Sequence, residues 1–259
     1  MLDAALHKAH GYAPEFGGGL SNHAPMVMEV MEALGQKARI PDWLEHYKSQ
    51  LEPFPSTDSQ SGSPTLGNPS HVPSWLAHWR EEIQQSGYEN TLRDALPRLL
   101  PGISASAGHG LLRVAHATRS LERHQTPERL EELAHGLTYW STTFARLPGV
   151  AGSKGNQNPL SALKTLKLVP PESRSKEGLI QPRLQVLERT PDFKHLVNQV
   201  QAEDPEFLDQ LTELFARIFL NHHGSHGVVF LHAFTGPSAL RLLESYLSRE
   251  DTVRALKYA

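Results

Sequence analysis

The 259-residue chain contains no cysteine. Its own side chains therefore cannot form a disulfide, a thiolate zinc site, an iron–sulfur cluster or a thiol nucleophile, and any metal it binds must be held by nitrogen and oxygen donors. A charge bias is also missing. The 25 Lys and Arg against 28 Asp and Glu leave a formal charge of -3, with the basic residues scattered and no stripe of the kind that tracks nucleic acid. No apolar run approaches the roughly 20 residues that span a bilayer. The opening "MLDAALHKAHGY" has neither the apolar core nor the small-residue cleavage site of a secretory signal. The expectation is a cytoplasmic protein with no nucleic-acid and no membrane partner.

Sequence motifs are absent as well. No GxGxxG follows a strand, and there is no GxxxxGK phosphate loop, no GxSxG elbow and no HExxH helix. The commonest routes to dinucleotide, nucleotide, serine-hydrolase and zincin chemistry are thereby removed. A convergent triad is not excluded, because spacing alone does not reveal one.

What the chain has in quantity is histidine, 15 residues of it. Histidine is the commonest metal ligand and the side chain that titrates nearest neutral pH, so its placement matters. The apolar periodicity is helical nearly throughout. "SNHAPMVMEVMEALG" has a Ser or Asn suited to capping, Pro25 in the first turn and Gly35 as a stop. Helical spacing continues in "PDWLEHYKSQLEP", "SWLAHWREEIQQSG", "NTLRDALPRLLPG" and "SASAGHGLLRVAHATRSLERH". "TPERLEELAHGLTYWSTTFARL" starts at Thr126 and Pro127, and "DPEFLDQLTELFARIFLNHHG" is strongly amphipathic. "SHGVVFLHAFTGPSALRLLESYL" reads as a separate apolar helix, begun at Ser225 and bent or broken at Thr235-Gly236-Pro237. The expected fold is all-α, a single multi-helix domain over residues 1–259 with long Ser/Pro/Gly-rich loops at 53–73 and 147–160 that read as flexible insertions.

Within that frame the histidines recur at special places. On "GHGLLRVAHATRS", at about 100° per residue, His109 and His116 point the same way with Arg113 between them. Two imidazoles and a guanidinium on an apolar helix need partners, since an unsatisfied buried polar group is costly. A metal, a carboxylate or a polar ligand would each serve. The blander alternative is one histidine bonded to a backbone carbonyl and the other at the surface. "NHHGSHGVVFLHAFTG" places His222, His223, His226 and His232 within eleven residues, and His232 sits inside "VVFLHAF", where a neutral nitrogen ligand or a satisfied core histidine is expected. His23 stands one turn before its helix. Three apolar helices each carrying a histidine near a bend suggest one shared site, or three unrelated core histidines.

In order along the chain, "YAPEFGGGLSNHAPMVMEVMEALG", "GHGLLRVAHATRS", "ELAHGLTYW" and "FLHAFTGPSALRLL" resemble the questin oxidase-like family. The resemblance runs from near the N-terminus to about residue 247. It implies a helical fold, oxidative opening of polycyclic aromatic polyketides, Baeyer–Villiger type monooxygenation in the founding activity and, in related members, a histidine-rich non-haem iron site. Its "NH" motif falls on Asn22-His23, its "HGLIR"-like motif on His109 to Arg113, and its "H-x-x-T" motif on His232 to Thr235. The fourth histidine is ambiguous between His222, His223 and His226, with His226 taken here. Two departures matter: the chain is shorter than these relatives, and His116 has no clear counterpart.

The resulting expectation is a metal-dependent oxygenase, Fe(II) first and another divalent metal second, acting with O2 on a small-molecule aromatic or polyketide-type phenol. His23, His109, His226 and His232 are the candidate ligands, Arg113 and Thr235 the candidate catalytic residues. Arg113 would stabilise negative charge on a substrate oxygen or else form a structural salt bridge. His116, Tyr139, Trp140, Phe230 and Phe234 are the candidate substrate walls, or plain core. The alternatives are a non-catalytic helical binding protein with structural histidines, a monooxygenase using NADPH or flavin, which no motif supports, and a zinc hydrolase.

Overall fold

A computed structural model describes residues 1–57, 62–174, 178–190 and 192–259, with the side chains of Gln181, Pro182, Ser225 and His226 outside the described residues. These residues are mostly helical, with one two-stranded antiparallel pair. The fold class is all-α, as the periodicity predicts. No helix among the described residues is long and apolar enough to cross a membrane. Contacts group the chain into two compact units, Met1–Ala95 with His109–Phe144, and Leu96–Gly108 with Ala145–Ala259.

The first unit opens with α1 (Leu2–Ala9) and a hairpin of β1 (Glu15–Phe16) and β2 (Leu20–Ser21). Its turn is "GGG", and Gly17, Gly18 and Gly19 all take positive φ, which only glycine adopts without strain. Helices α2 (Ala24–Ala33), α3 (Ile40–Tyr47), α4 (Val72–Ser86), α5 (Tyr88–Leu99, passing into the second unit), α6 (His109–Arg123) and α7 (Pro127–Thr142) follow. Thr126 caps α7 by accepting from the Arg129 N–H, with Pro127 at the first helical position.

The α6–α7 pair is the centre of this unit, with α2 against α6, α4 against α7, and α1 against α2 and α7. Gly110 sets the closeness of the central crossing: a Cβ there would lie 2.7 Å from Trp140 Cγ and 2.8 Å from its Cα. The 53–73 segment, expected to be a flexible insertion, is tied down in its described part. Gly67 N–H donates to the Ser141 carbonyl and Trp75 Nε1 to the Thr65 carbonyl. Residues 58–61 of that segment lie outside the described residues.

The second unit contains α8 (Pro159–Thr165), α9 (Ile180–Leu184), α10 (Phe207–Arg241) and α11 (Arg249–Tyr258). Asn158 and Ser248 cap α8 and α11 by accepting from Ser161 N–H and Asp251 N–H. Both breaks expected around the histidine-rich segment are absent, because α10 runs unbroken for 35 residues through Gly224-Ser225 and Pro237. Gly224 is outside the positive-φ set, so it weakens the helix without ending it. Flanking Pro237, Thr235 and Ser238 return hydroxyl hydrogen bonds to the His232 and Phe234 carbonyls.

Candidate functional site

His23 and His109 meet. Asn22 provides the turn that delivers His23: its Oδ1 accepts from Ala24 N–H and its Nδ2 donates to the Ala13 carbonyl, joining the hairpin exit to the start of α2. The cap is therefore supplied by Asn22, and the His23 side chain makes no capping bond. The His23 backbone N–H donates to Tyr47 Oη at 3.1 Å. On the other side, His109 is the first residue of α6, entered through Ser106, Ala107 and Gly108, all at positive φ. For Ser106 and Ala107 that conformation costs roughly 1–2 kcal/mol each, and strain of this kind is tolerated where the surroundings fix it.

The two Nε2 atoms lie 3.0 Å apart, with rings nearly perpendicular at 86° and centroids 4.8 Å apart. His109 is buried, whereas His23 is exposed. One nitrogen donating to the other accounts for the approach. So does a shared cation: metal–nitrogen bonds of about 2.0–2.1 Å at a right angle put two ligand nitrogens about 2.9 Å apart, against about 3.3 Å at a tetrahedral angle. Cis imidazoles on one divalent metal are thus compatible with the distance, as is a hydrogen bond between the rings.

The remaining α6 candidates have carboxylate partners. Arg113 is 2 % exposed and makes a bidentate pair with Glu132 on α7, Nε to Oε1 at 2.7 Å and a terminal nitrogen to Oε2 at 3.0 Å. This is the structural salt bridge, the second of the two roles open to Arg113 in the sequence. His116 Nδ1 lies 2.8 Å from Glu29 Oε2, and Arg119 and Arg123 also pair with Glu29. Burial alone would raise the Glu29 carboxyl, but hydrogen bonds from His116 and Arg119 and the charge of Arg119 hold it below the usual range.

Tyr139 and Trp140 are both core. Tyr139 Oη donates to Glu15 Oε1 at 2.9 Å and approaches Ser21 Oγ at 2.6 Å, fastening the hairpin to α7, while Trp140 packs on Gly110 with no exposure.

A second polar cluster in the first unit was not singled out from the sequence. His10 and His135 stack with ring centroids 4.6 Å apart at 11°, and Phe54 lies edge-on to His135 at 5.0 Å. His10 Nε2 is 3.1 Å from Glu132 Oε2, and His135 Nε2 is 3.2 Å from Glu131 Oε1. Burial pushes His135 down to about 4, with the nearby charges of His10 and Arg113 adding to it against the Glu131 hydrogen bond. Burial would raise Glu132, but the Arg113 charge and bonds from His10 and Arg113 bring it down to about 2. Glu131 is likewise at about 2, burial being outweighed by His135 and Arg80.

Ligand atoms of His10, Glu131 and His135 lie within 4.8 Å of one another, so the three could hold a metal ion. Arg80, however, already spans both oxygens of Glu131, and Arg113 those of Glu132, so a divalent ion would enter a charge-balanced group. The Glu131–His135 spacing of i,i+4 was the only signal for this cluster within the sequence.

The other candidates belong to the second unit. His232 was expected deep in an apolar run, yet it is only half-buried on α10, beside exposed Val228, Val229 and Leu231. Its Nδ1 donates to the Val228 carbonyl at 2.5 Å. Thr235, Phe230 and Phe234 are half-buried on the same helix, and His222 stands 5.4 Å from Phe230 by ring centroids. His223 Nδ1 faces the Leu220 carbonyl. The side chain of His226 lies outside the described residues. No protein family's sequence model matches this chain, nor does any curated protein or solved structure.

Proposed function

We propose that the protein is a metal-dependent oxygenase of the questin oxidase-like kind, with iron(II) as the first-choice metal and an aromatic or polyketide-type phenol as substrate. The observation that carries this reading is the 3.0 Å approach of His23 Nε2 to His109 Nε2, brought from positions 86 residues apart to a separation suited to cis ligation. Iron(II), when bound, would supply one-electron chemistry toward dioxygen.

The chain's own residues prepare the pair. Asn22 and Tyr47 fix the His23 backbone, and the left-handed turn before α6 fixes His109. Exposure of His23 leaves one side open to solvent, and hence to substrate. Arg113 acts as a positioning residue, holding α6 on α7 through Glu132.

Metal analysis of untagged protein tests the proposal. About one equivalent of iron is expected, lost in His23→Ala and in His109→Ala, with oxygen uptake on phenolic substrates lost in parallel. The same analysis on His226→Ala and His232→Ala asks whether either contributes a further ligand. A folded protein that carries no metal, or whose metal is unaffected by both of the first two substitutions, would sink the reading. The competing reading, a non-catalytic binding protein, draws on Arg113 and His116 already being paired with Glu132 and Glu29.

A further inference from the structure

The second unit contains a cavity of about 200 Å³. It is walled by Ala162 of α8, Phe193 and Val197 of the turn at Phe193–Asn198, Phe207 and Leu211 of α10, and Leu256 of α11. The α10 wall follows from its periodicity: Phe207, Leu211, Leu214 and Phe215 recur at i, i+4, i+7 and i+8, so one helical stripe forms one side. Two polar side chains reach the lining, and both are turned away into backbone contacts. Lys257 Nζ donates to the Ser153 carbonyl, with Glu203 Oε1 at 3.9 Å, and Tyr258 Oη accepts from Ala151 N–H at 3.2 Å.

We propose that this cavity is a binding site for a neutral aromatic molecule of one or two fused rings. Size sets the upper limit. An apolar cavity of about 150 Å³ stays dry and takes benzene, whereas sites for drug-sized ligands begin near 300 Å³. Chemistry sets the charge. A carboxylate or ammonium placed there would lose water against a lining that is apolar apart from Lys257 and Tyr258, whose polar ends are directed at the Ser153 carbonyl and the Ala151 N–H. Aromatic character follows from Phe193, Phe207 and Phe215, whose rings offer edge and face contacts to another ring. The site is confined to the second unit and shares no residue with the histidine pair, so the metal reading can fail without affecting it.

The test titrates the full-length protein with naphthalene and, separately, with 2-naphthoate, following backbone amides by two-dimensional NMR. Saturable shifts centred on Ala162, Val197 and Leu211 are expected with naphthalene, together with at least about tenfold weaker binding of 2-naphthoate. Ala162→Phe and Leu214→Trp put a side chain into the space. Each is checked for folding by circular dichroism, and either one folded should abolish the shifts. No saturable binding of naphthalene would overturn the proposal, as would binding that persists unchanged in a folded filled variant. Equal or tighter binding of 2-naphthoate would overturn the assignment to a neutral ligand.

Discussion

The two units solve the problem of an interior differently. In the first, charge is carried inside: Glu29, Arg113, Arg129 and Glu132 are all buried, and each is paired across helices. In the second, Lys257 is the only buried residue with a formal charge among the described residues, and the walls around it are Phe and Leu enclosing unfilled space. An ion pair inside a protein is directional. It tolerates few alternative arrangements, because a slip strands a desolvated charge. Apolar contacts carry no such penalty, so that interior can keep a void, at a cost that grows with the void's volume. The first unit is thus suited to holding two imidazoles at a set distance, and the second to accommodating something soft.

The largest expected effect follows from removing one half of a buried pair. Glu132→Ala leaves Arg113 charged and uncompensated at 2 % exposure, and a loss of about 3–5 kcal/mol is expected in urea denaturation. A loss below about 1 kcal/mol would mean that the pair is hydrated and that the comparison between the units is wrong.

Acid probes the same interior without mutation. His135 stays neutral in the folded state down to about 4, while in the unfolded chain it takes a proton near 6.5, so stability begins to fall as pH drops below 6.5. Glu132 contributes fully above its ordinary 4.5 and loses that contribution as pH falls through about 2. Melting temperature against pH should therefore decline in two stages. Glu132→Gln should shrink the lower stage, leaving the part that Glu131 contributes, and should lower His135 further, because the Glu132 charge favours its protonated form.

Next in size is the helix crossing. Gly110→Ala places a Cβ against the backbone and ring root of Trp140, which cannot swing aside, and a loss of about 1–3 kcal/mol is expected from overpacking. A neutral result in thermal melts would show that α6 and α7 can separate slightly, and that the His109 position is less fixed than the distances imply.

Much of this was legible in the sequence, and the limit can be named. Apolar periodicity located α2 to α7 and α10, though not α1, α8, α9 or α11, and Thr126-Pro127 located the start of α7, because both signals are local. His23 was singled out for its place ahead of a helix start, and His109 for sharing a helix face with Arg113 and His116. Three things were misread or missed. Gly224-Ser225 and Pro237 looked like helix ends, but a 35-residue helix ran through both, leaving His232 half-buried beside exposed Leu231. Intrinsic propensity is a weak prior beside the contacts that hold a helix. The His10–Glu132 contact joins residues 122 apart, and no periodicity encodes which distant carboxylate a histidine will find. The "EFGGGLS" hairpin was missed for a related reason: two residues per strand are too few to show alternation.

The smallest expected effect isolates burial as the variable that separates the units. Arg217 and Glu213 on α10 also pair guanidinium with carboxylate, at 2.6 Å through one carboxylate oxygen, but with side chains 72% and 64% exposed. Water screens their attraction, and each side chain loses rotamer freedom to hold the geometry, so an i,i+4 pair of this kind contributes about 0.3–0.5 kcal/mol. Arg217→Gln, which nearly preserves helix propensity, should change stability by no more than about that amount, and the change should vanish in 1 M salt, where screening acts within about 3 Å. The Arg113–Glu132 pair, out of reach of counterions, should keep its contribution under the same salt. If both pairs responded to salt alike, the charged interior of the first unit would be behaving as surface.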